Sequence, residues 1–423
     1  MAAQRGCYSA YLDLGDLAIC SASPELFFEM VDADILARPM KGTAKRGRTL
    51  DEDRAIGVAL AASAKERAEN VMVVDMIRND LGRIADVGTV EVPELFAVER
   101  FPAMWQMTSL IKARSLAPLA DVFAALHPSA SITGAPKVRT MQLLAELEAE
   151  PRGVYTGAIG HIPPDGRARF SVAIRTAVVD RREGQVSFGV GSGVVWDSEP
   201  DAEYAECLLK GSILGRRAPQ FDLLETMLWD PAEGFVLLER HMARLAASAE
   251  YFGITLDRER VDAALRNAIA GVTVAQRLRL LVDSLGAVRV EPRPHASWHE
   301  PVRVALARGP IDTTDPFLYH KTTQRRVYED ARAAVMGVDH VLLWNENGVV
   351  TEATLANVVV ELDGRRVTPP VSDGLLPGTF RAELIERGDV VEESVRVDAL
   401  GRATAIWLVN SVQGWKRAVL VDA

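Results

Sequence analysis

The sequence predicts an α+β protein of two successive domains, and three observations support this. The chain has 423 residues, more than a single hydrophobic core usually serves. Short runs of alternating apolar residues, typical of strands, are interspersed with long Ala-, Glu- and Arg-rich stretches typical of helices. Both patterns stop in the polar segment "LGRRAPQ" at residues 214–220. We interpret this segment as a linker, which gives domains 1–215 and 216–423.

The composition is that of an ordinary globular protein. Hydrophobic residues make up 48% of the chain and charged residues 25%. The net charge of -10 argues against nucleic-acid binding, because phosphate backbones attract clustered Lys and Arg. The three cysteines form no CxxC pair, and no apolar run is long enough to span a bilayer or act as a signal peptide. We therefore expect a cytoplasmic protein with no nucleic-acid or membrane partner.

The first half combines predicted strands with two predicted long helices. Residues 51–81 and 136–149 carry the helical pattern. The period-2 runs that predict strands are "CYSAYLDL", "VYTGAIGHI", "FSVAIRTAVV" and "VSFGVGSGVV".

Two pairs of glutamates fall at helical spacing. "KERAEN" contains Glu66 and Glu69, and "DSEPDAEYAEC" contains Glu203 and Glu206. A single ExxE pair is usually solvated helix surface. If the two helices face each other, however, the four carboxylates offer the hard oxygen ligands that Mg²⁺ prefers.

Three further features of the first half admit both a structural and a functional interpretation. Arg175 lies in the apolar run "AIRTA", where a guanidinium needs an anionic partner, either an intrachain carboxylate or a bound anion. Gly189, Gly191 and Gly193 in "GVGSGVV" would let backbone N–H groups approach an anion. Lys41 in "RPMKGT" lies beside a turn, where a lysine usually points into solvent. Together with the glutamates, these residues suggest a site for a small dianionic substrate bridged by Mg²⁺.

Seven ordered motifs resemble those of the chorismate-utilising enzymes related to anthranilate synthase. The resemblance covers nearly all of residues 7–213 and implies a chorismate-binding α/β sandwich domain. The motifs are "SPELF", "RPMKGTAKRG", "KERAENVMVVDMIRNDLGR", "SITGAPKVRTMQLL", "RGVYTGAIG", "SVAIRTA" and "GSGVVWDSEPDAEY".

The resemblance implies a role for each matching residue. Glu69 and Glu206 would bind the Mg²⁺ that holds the ring carboxylate of chorismate, with Glu66 and Glu203 supporting it through the metal's waters. Glu25 of "SPELF" would be the general acid that protonates the departing ring hydroxyl. The implied substrate-binding residues are Tyr155 and Arg175 for the enolpyruvyl carboxylate, Gly191 and Gly193 through their backbone N–H groups, and Thr133.

Lys41 distinguishes two branches of this family. Anthranilate synthases carry alanine at the matching position, whereas aminodeoxychorismate synthases carry lysine. The resemblance therefore implies that the Lys41 amine attacks the ring and that ammonia then displaces it, which gives 4-amino-4-deoxychorismate. Burial near Met40 would keep such an amine partly neutral. One departure from the family pattern is Gln106, which stands where relatives carry histidine. We expect this change to affect only the fine positioning of groups in the site, because glutamine, like histidine, can donate and accept hydrogen bonds.

The position of the first motifs gives one more expectation. Relatives have a substantial segment before the strand that matches "GCYSAYLDLGD", so the resemblance implies a truncated domain with bare sheet edges. We expect weak or absent synthase activity from such a domain.

The second half begins at "FDLLETMLW", and an amphipathic helix in "RHMARLAASAEYFG" follows, which Gly253 should close. Lys321 lies between a strand-like approach and a second amphipathic helix, and taken alone it would be a surface lysine. A turn at Asn347 and Gly348 predicts a hairpin.

Two further features of the second half suggest binding of charged groups. The predicted hairpin presents Glu352 among apolar neighbours, where a carboxylate should need a cationic partner. Gly378 and Thr379 begin a helix, which is either an ordinary helix start or an anion site.

These features resemble the class IV aminotransferase family of pyridoxal-phosphate enzymes, from Phe221 to Leu420. The resemblance implies a fold-type IV domain of two α/β subdomains, commonly dimeric. Lys321 would bond covalently to the cofactor, and Glu352 would keep its pyridine nitrogen protonated. The implied phosphate-binding residues are Arg244, Gly378, Thr379, Asn410 and Ser411.

The motifs do not separate a lyase from a transaminase, but their combination in one chain favours a lyase. Removal of pyruvate from 4-amino-4-deoxychorismate would give p-aminobenzoate, a folate precursor. No segment resembles a glutaminase, so ammonia would come from solution or from a separate glutamine amidotransferase subunit. Two alternatives stay open: a D-amino acid or branched-chain transaminase in the second half, and a first half that is an inactive remnant.

Overall fold

The computed structural model divides the chain into two compact units, each of which is described by itself. The residues that it describes are 8–196, 198–211, 214 and 219–422. The first unit comprises Met1–Arg46 and Arg54–Ala218, and the second comprises Gly47–Asp53 and Pro219–Ala423. The predicted boundary between residues 215 and 216 lies outside the described residues.

A four-stranded antiparallel sheet forms one layer of the first unit. Its strands are β1 (Tyr8–Asp13), β2 (Leu17–Ser23), β10 (Thr176–Asp180) and β11 (Gln185–Phe188), in the order β1-β2-β10-β11. Cys20 of β2 pairs with Tyr11 on one side and Ala177 on the other, so strands from the two ends of this unit's sequence are neighbours.

The larger sheet of the first unit is also antiparallel. Its path is β5-β7-β4-β3-β9-β8, and β6 pairs with β7. The strands are β3 (Leu26–Val31), β4 (Asp34–Arg38), β5 (Met40–Lys45), β6 (Glu91–Arg100), β7 (Met104–Arg114), β8 (Ala158–His161) and β9 (Ala168–Val172).

The predicted helix at residues 51–81 is two helices rather than one. The backbone of Ser63 is extended, and its hydroxyl accepts a hydrogen bond from the Glu66 N–H at 3.4 Å, which begins a new helix. The predicted helix at 136–149 is confirmed. Helices in this part of the chain are α1 (Leu50–Ala62), α2 (Ala64–Gly82), α3 (Leu119–Leu126), α4 (Lys137–Leu147) and α5 (Pro200–Gly211).

Three of the predicted strands are shorter than their apolar runs. The run "VYTGAIGHI" becomes a strand only at Ala158, and "VSFGVGSGVV" is a strand only as far as Phe188. The run "FSVAIRTAVV" is broken between β9 and β10 by Arg175, whose φ is +49°. Arg175 is therefore in a left-handed connection and not inside a strand, which corrects the prediction.

The core of the first unit lies between the larger sheet and α2. Phe28, Ile35 and Ile111 from the sheet are fully buried, as is Leu81 from the last turn of α2. Phe28 also makes an edge-to-face contact with Phe123, with ring centroids 5.2 Å apart.

The second unit begins with a small antiparallel sheet covered by two helices. The sheet has the order β13-β12-β14-β15, with strands β12 (Leu223–Asp230), β13 (Gly234–Phe235), β14 (Gln276–Val282) and β15 (Val288–Pro294). Its helices are α6 (Leu238–Phe252) and α7 (Arg258–Ala268). As predicted, Gly253 ends α6, with a φ of +67°.

A nine-stranded mixed sheet forms the rest of the second unit, in the order β21-β20-β19-β23-β24-β16-β17-β18-β22. The elements are β16 (Val302–Leu306), α8 (Arg326–Ala334), β17 (His340–Trp344), β18 (Val349–Ala353), β19 (Asn357–Leu362), β20 (Arg365–Thr368), α9 (Thr379–Glu386), β21 (Val391–Glu392), β22 (Val395–Arg396), β23 (Ala405–Asn410) and β24 (Gly414–Leu420). β16 runs parallel to β17 and β24, and the predicted turn at Asn347 and Gly348 joins β17 to β18.

The two sheets of the second unit, each with its own helices, give two α/β subdomains. The predicted α+β class is confirmed. In the part of the chain that the structure describes, no helix is both long enough and apolar enough to cross a membrane.

We expect Phe28→Ala to destabilise the first unit by about 3–5 kcal/mol, because it leaves a cavity in a fully buried position. Hydrogen exchange of peptides from β3 and α2 measures the local free energy of opening without requiring the whole chain to unfold as one unit. Val31→Ala, at an exposed position of the same strand, is the control and should change this free energy by less than about 1 kcal/mol. Equal effects of the two substitutions would contradict the assignment of the core.

Candidate functional site

Lys41 lies on β5 of the first unit and is half-buried. A Cβ atom on Gly193 would lie 2.5 Å from the Lys41 Nζ, so a side chain at this position would displace the amine from the 189–195 loop. The Asn70 amide donates to the Lys41 carbonyl at 3.4 Å and accepts from the Ser109 hydroxyl at 2.5 Å. The backbone of Lys41 is thus held from α2 and β7.

Glu25 lies between β2 and β3 and is only 4% exposed. Desolvation raises the pKa of Glu25 to about 7, although a hydrogen bond from Ser131 and the charge of Lys41 oppose the rise. A carboxyl with this pKa is protonated in about half of the molecules at neutral pH, which suits a general acid.

Tyr155 packs against the glycine-rich loop. A Cβ on Gly189 would lie 2.3 Å from Cγ of Tyr155, and one on Gly191 would lie 2.9 Å from its hydroxyl. The Gly191 carbonyl accepts a hydrogen bond from the Lys210 Nζ at 2.9 Å. The loop glycines therefore make room for the side chains of Tyr155 and Lys41. The sequence pattern alone does not reveal this reason for the glycines.

The two glutamate pairs lie on α2 and α5. Desolvation raises the pKa of Glu66, and repulsion from Glu69 and, more weakly, from Glu206 adds to the rise. Glu203 accepts a hydrogen bond from the Ser198 hydroxyl at 2.7 Å, and Glu206 forms an ion pair with Lys210 at 2.7 Å.

These carboxylates have the chemistry that Mg²⁺ requires, since each offers hard oxygen ligands. They are not gathered into a finished site, because the described residues include no group of three or more acidic, His or Cys side chains placed to hold a metal. The Glu206 side chain is 48% exposed, so it is accessible to a cation that would compete with Lys210.

Arg175 and Thr133 are engaged in structural contacts. The Arg175 Nη2 lies 3.2 Å from the Met104 sulfur, and desolvation lowers the pKa of this guanidinium. The Thr133 hydroxyl donates to the Ser129 carbonyl at 3.1 Å, so that hydrogen is committed within the chain. Gln106 on β7 donates to the Thr43 hydroxyl at 3.4 Å.

Lys321 of the second unit lies in a loop rather than at the end of a strand, which corrects the prediction. The loop follows a 3₁₀ turn at Pro316–Leu318 and is fixed where the Lys321 carbonyl accepts a hydrogen bond from the Leu224 N–H at 3.0 Å. Desolvation lowers the pKa of Lys321 to about 7, with further lowering by the charges of Arg244 and Arg325.

Glu352 lies on β18 and is 4% exposed, as its apolar surroundings predicted. Its hydrogen-bond donors are neutral: the Tyr328 hydroxyl at 2.7 Å, the Leu376 N–H at 3.1 Å and the Asn357 amide at 3.3 Å. The charges of Arg325 and Lys321 also favour the ionised carboxylate, but more weakly than the Tyr328 and Leu376 hydrogen bonds. These donors do not fully offset desolvation, which raises the pKa of Glu352 to about 7.

Arg244 on α6 is held by a buried carboxylate. Its Nε and Nη2 donate to the two oxygens of Glu225 at 2.9 and 2.6 Å, and its Nη1 donates to the Pro377 carbonyl at 3.0 Å. Desolvation alone would raise the pKa of Glu225, but Arg244 and His241 hold it at about 2. Glu225 is therefore a permanent anion on β12.

His241, one turn before Arg244 on α6, connects Glu225 to two hydroxyls. Its Nδ1 lies 2.7 Å from a Glu225 oxygen, and its Nε2 lies 2.9 Å from the Ser411 hydroxyl and 3.4 Å from the Thr379 hydroxyl. We call Arg244, Gly378, Thr379 and Ser411 the anion cradle. Its members come from α6, the start of α9 and the turn after β23.

Gly378 immediately precedes α9, as predicted, and it cannot carry a side chain. A Cβ there would lie 1.8 Å from the Asn357 Oδ1. The same Asn357 amide donates to the Leu376 carbonyl at 2.9 Å and to Glu352 at 3.3 Å. Asn357 therefore links the buried acid to the start of α9.

The Asn410 side chain is occupied within its own turn. Its oxygen accepts from the N–H groups of Val412 and Gln413 at 3.0 and 2.7 Å, and its amide donates to the Leu355 carbonyl at 3.1 Å. Asn410 thus fixes the turn that carries Ser411.

Two family models match the chain, one over each half. Residues 1–215 match the family described as chorismate binding enzyme, and these residues are half of the chain. The chain belongs to the chorismate binding enzyme family. Residues 222–420 match the family described as amino-transferase class IV, so this chorismate binding enzyme carries a class IV domain after its first unit.

Three similar proteins illustrate the extent of the similarity in sequence and structure. Aminodeoxychorismate synthase component 1 of Salmonella typhimurium is 46% identical over 206 residues, 48% of this chain and 45% of the relative, so the chain spans less than half of that relative. Anthranilate synthase component I from Streptococcus pneumoniae is 34% identical, with a TM-score of 0.46 over 51% of this chain and 47% of that chain. The 4-amino-4-deoxychorismate lyase from Pseudomonas aeruginosa is 24% identical, with a TM-score of 0.42 over 48% of this chain and 83% of that chain.

The class IV family implies pyridoxal phosphate, and the residues of the second unit fit this cofactor. The Lys321 amine has a lowered pKa, the buried Glu352 carboxyl acts on this amine through its charge, and the cradle has a glycine where a Cβ would clash with Asn357. The chain thus offers an amine for the aldehyde, an acid for the ring nitrogen and donors for the phosphate.

Four residues of this chorismate binding enzyme's second unit were missed by the sequence analysis: Glu225, His241, Tyr328 and Asn357. Glu225 had a usable signal, because it interrupts the apolar run "FDLLETMLW" just as Glu352 interrupts its own strand. His241 and Arg244 are three residues apart, which places both on one face of α6. Tyr328 and Asn357 gave no comparable signal.

We expect the Lys321 amine to titrate near pH 7 in the cofactor-free protein, because its pKa is lowered to about 7 from the ordinary 10.5. The amine loses its proton as the pH rises, so labelling by an acylating reagent should increase through pH 7 in the folded protein. In the unfolded protein the same increase should appear near the ordinary lysine value. Mass spectrometry of the peptide with Lys321 measures both curves, and coincident curves would rule out the proposed desolvation.

Proposed function

We propose that this protein makes p-aminobenzoate from chorismate in two steps, one in each unit. The first unit would replace the ring hydroxyl of chorismate with ammonia, giving 4-amino-4-deoxychorismate and water. The second would release pyruvate from that product. The observation that carries the proposal is a lysine at position 41, close to Glu25 and the glycine-rich loop, in a chain that also contains a class IV domain.

In the first step, we propose that Lys41 is the nucleophile and Glu25 the general acid. Lys41 lowers the pKa of Glu25 through its charge, which indicates that the two groups interact electrostatically. As the Lys41 Nζ forms a bond to the ring, the hydroxyl would leave as water with the proton from Glu25. Ammonia would then form the new C–N bond while the bond to Lys41 breaks.

We propose that Glu66, Glu69, Glu203 and Glu206 hold the Mg²⁺ of this step. The metal would neutralise carboxylate charge on the substrate. The mutual repulsion that raises the pKa of Glu66 supports this role, because a bound cation would relieve it. Tyr155, Arg175, Thr133 and the N–H groups of the loop glycines would orient the substrate.

In the second step, pyridoxal phosphate would supply the electron sink for carbon–oxygen bond cleavage. Glu352 would hold a proton on the cofactor's ring nitrogen, and Tyr328 and Asn357 keep both carboxylate oxygens oriented. The Lys321 Nζ, with a pKa near neutrality, can both take and return a proton under the same conditions. We propose that it removes the substrate proton and returns one to the leaving pyruvyl group.

The proposal has two consequences for partners. Ammonia would come from a separate glutamine amidotransferase subunit or from solution, and the similarity to a relative named component 1 supports the separate subunit. We also propose a homodimer through the second unit, which the resemblance to class IV enzymes supports, and the cytoplasmic location that the sequence analysis expects.

A transaminase activity of the second unit is the alternative, with the first unit inactive. The Lys321 and Glu352 arrangement serves both reactions, so it does not separate them. A change in the cofactor's absorbance on adding D-alanine or L-leucine, without pyruvate release from 4-amino-4-deoxychorismate, would favour the transaminase.

Lys41→Ala should abolish formation of 4-amino-4-deoxychorismate from chorismate, ammonia and Mg²⁺, however weak the parental synthase activity is, while chorismate binding changes less than about tenfold. The reason is that the substitution removes a nucleophile and not a carboxylate ligand. Lys45→Ala, at an exposed position of the same strand, is the matched control and should retain the parental rate. If binding and turnover fell equally, Lys41 would be a binding residue. Turnover by the parent in excess chelator would exclude the Mg²⁺ site.

Glu352→Gln should reduce pyruvate release from supplied 4-amino-4-deoxychorismate by at least about a hundredfold, because a neutral amide does not stabilise a proton on the ring nitrogen. The variant should still bind the cofactor at Lys321, which borohydride reduction and a tryptic map would locate. Glu361→Gln, on β19, the next strand along the chain, is the control. Cofactor found on another lysine, or unchanged turnover, would refute the assignment.

A further inference from the structure

The anion cradle carries less positive charge than its arginine suggests. Glu225 accepts two hydrogen bonds from Arg244, and the pKa of Glu225, held at about 2, keeps it ionised throughout the neutral range. The charges of these two residues therefore cancel. With a neutral His241, the three residues together offer a dianion no net charge, although the anion would be drawn out of water.

The hydrogen bonds of His241 also limit what the two hydroxyls can do. The Nδ1 faces the Glu225 carboxylate at 2.7 Å, so this nitrogen must carry a hydrogen and donate it. In a neutral ring the Nε2 then has a lone pair and accepts from a hydroxyl. Ser411, at 2.9 Å, is the better placed, and Thr379 is at 3.4 Å. A neutral His241 thus takes a hydrogen that a bound anion would need.

Protonation of His241 reverses this arrangement. The Nε2 then donates to the hydroxyl oxygens, and the hydrogens of Ser411 and Thr379 become available to an anion. One proton therefore supplies both the missing charge and at least one hydrogen-bond donor.

We propose that His241 takes up a proton when a dianionic phosphate group occupies the cradle, and so couples phosphate binding to pH. This inference rests on the proposed function, since the phosphate would be that of the cofactor. His241 acts as a positioning residue: it orients Ser411 and Thr379 and supplies charge from behind them. Glu225 on β12, Arg244 on the same helix and Lys321 in its loop are the charged groups that influence it.

The electrostatic surroundings support a change of protonation on binding. Desolvation lowers the pKa of His241, although Glu225 opposes this, while Arg244 and Lys321 lower it further. The imidazole is therefore mostly neutral near pH 7 before an anion binds. An anion raises the pKa of a neighbouring histidine, so affinity should be greatest at low pH and should fall as the pH rises through the pKa of the bound state.

Sulfate is a suitable probe because it stays a dianion over the whole range in which histidine titrates. The ¹⁵N chemical shifts of the imidazoles in the full chain, measured against pH with and without sulfate, report the protonation of His241 directly. His241→Gln assigns its resonance among the seven histidines. This readout also separates His241 from Lys321, which titrates in the same range.

We expect saturating sulfate to raise the pKa of His241 by roughly one unit or more, equivalent to at least tenfold tighter sulfate binding by the protonated form. Pyridoxal phosphate should show the same linkage. Its dissociation constant should rise more steeply with pH in the parent than in His241→Gln. His340→Gln is the matched control, because it removes another buried imidazole, one that hydrogen-bonds Thr354 instead of the cradle.

The outcomes distinguish this inference from the function on which it rests. If the pKa of His241 is unchanged by sulfate, or if the parent and His241→Gln show the same pH dependence for pyridoxal phosphate, the proton linkage is wrong and the proposed function stands. If pyridoxal phosphate does not attach to Lys321 at any pH, both fail. A pKa rise that also appears in Ser411→Ala combined with Thr379→Val would show that charge alone, without the hydroxyls, carries the effect and would overturn the positioning role.

Discussion

Desolvation of ionisable groups is the constraint on which both candidate sites depend. Glu25, Glu352 and Lys321 lie where water is largely excluded, and burial moves the pKa of each toward neutrality. The neighbours of these groups only partly offset the effect. Hydrogen bonds from neutral donors lower the pKa of Glu352, and the charges of Glu225 and Glu352 raise that of Lys321, where Arg244 and Arg325 act in the opposite direction. Because nearby charges and hydrogen bonds do not fully cancel the pKa shifts caused by desolvation, these groups can exchange protons near pH 7. Glu225, paired with Arg244, cannot.

The supporting residues show how the fold keeps these groups in place. Asn70 and Ser109 fix the backbone under Lys41, whereas Tyr328 and Asn357 fix the carboxylate of Glu352. Each support comes from a different element than the residue it holds. The sites are therefore defined by packing between helices and sheets, and not by local sequence.

Sequence patterns predicted charged residues that lie in apolar surroundings. They failed where the local backbone conformation determines the structure. Glu352 was predicted because a charge interrupts an apolar strand, and Glu225 carries the same signal. The break at Ser63 was missed although Ser63 and Glu66 have the spacing of a capping box. The left-handed backbone of Arg175 could not be predicted, because a single φ value in a non-glycine residue leaves no trace in an apolar pattern.

The Asn357 side chain connects two parts of the candidate site in the second unit. Its amide donates to the buried acid and to the Leu376 carbonyl, and its oxygen lies where a Cβ on Gly378 would clash, so one side chain contacts both the acid and the start of α9. A larger residue at 378 would need a smaller one at 357, and that exchange would remove one of the three hydrogen-bond donors to Glu352. Positions 357 and 378 should therefore change only together during evolution.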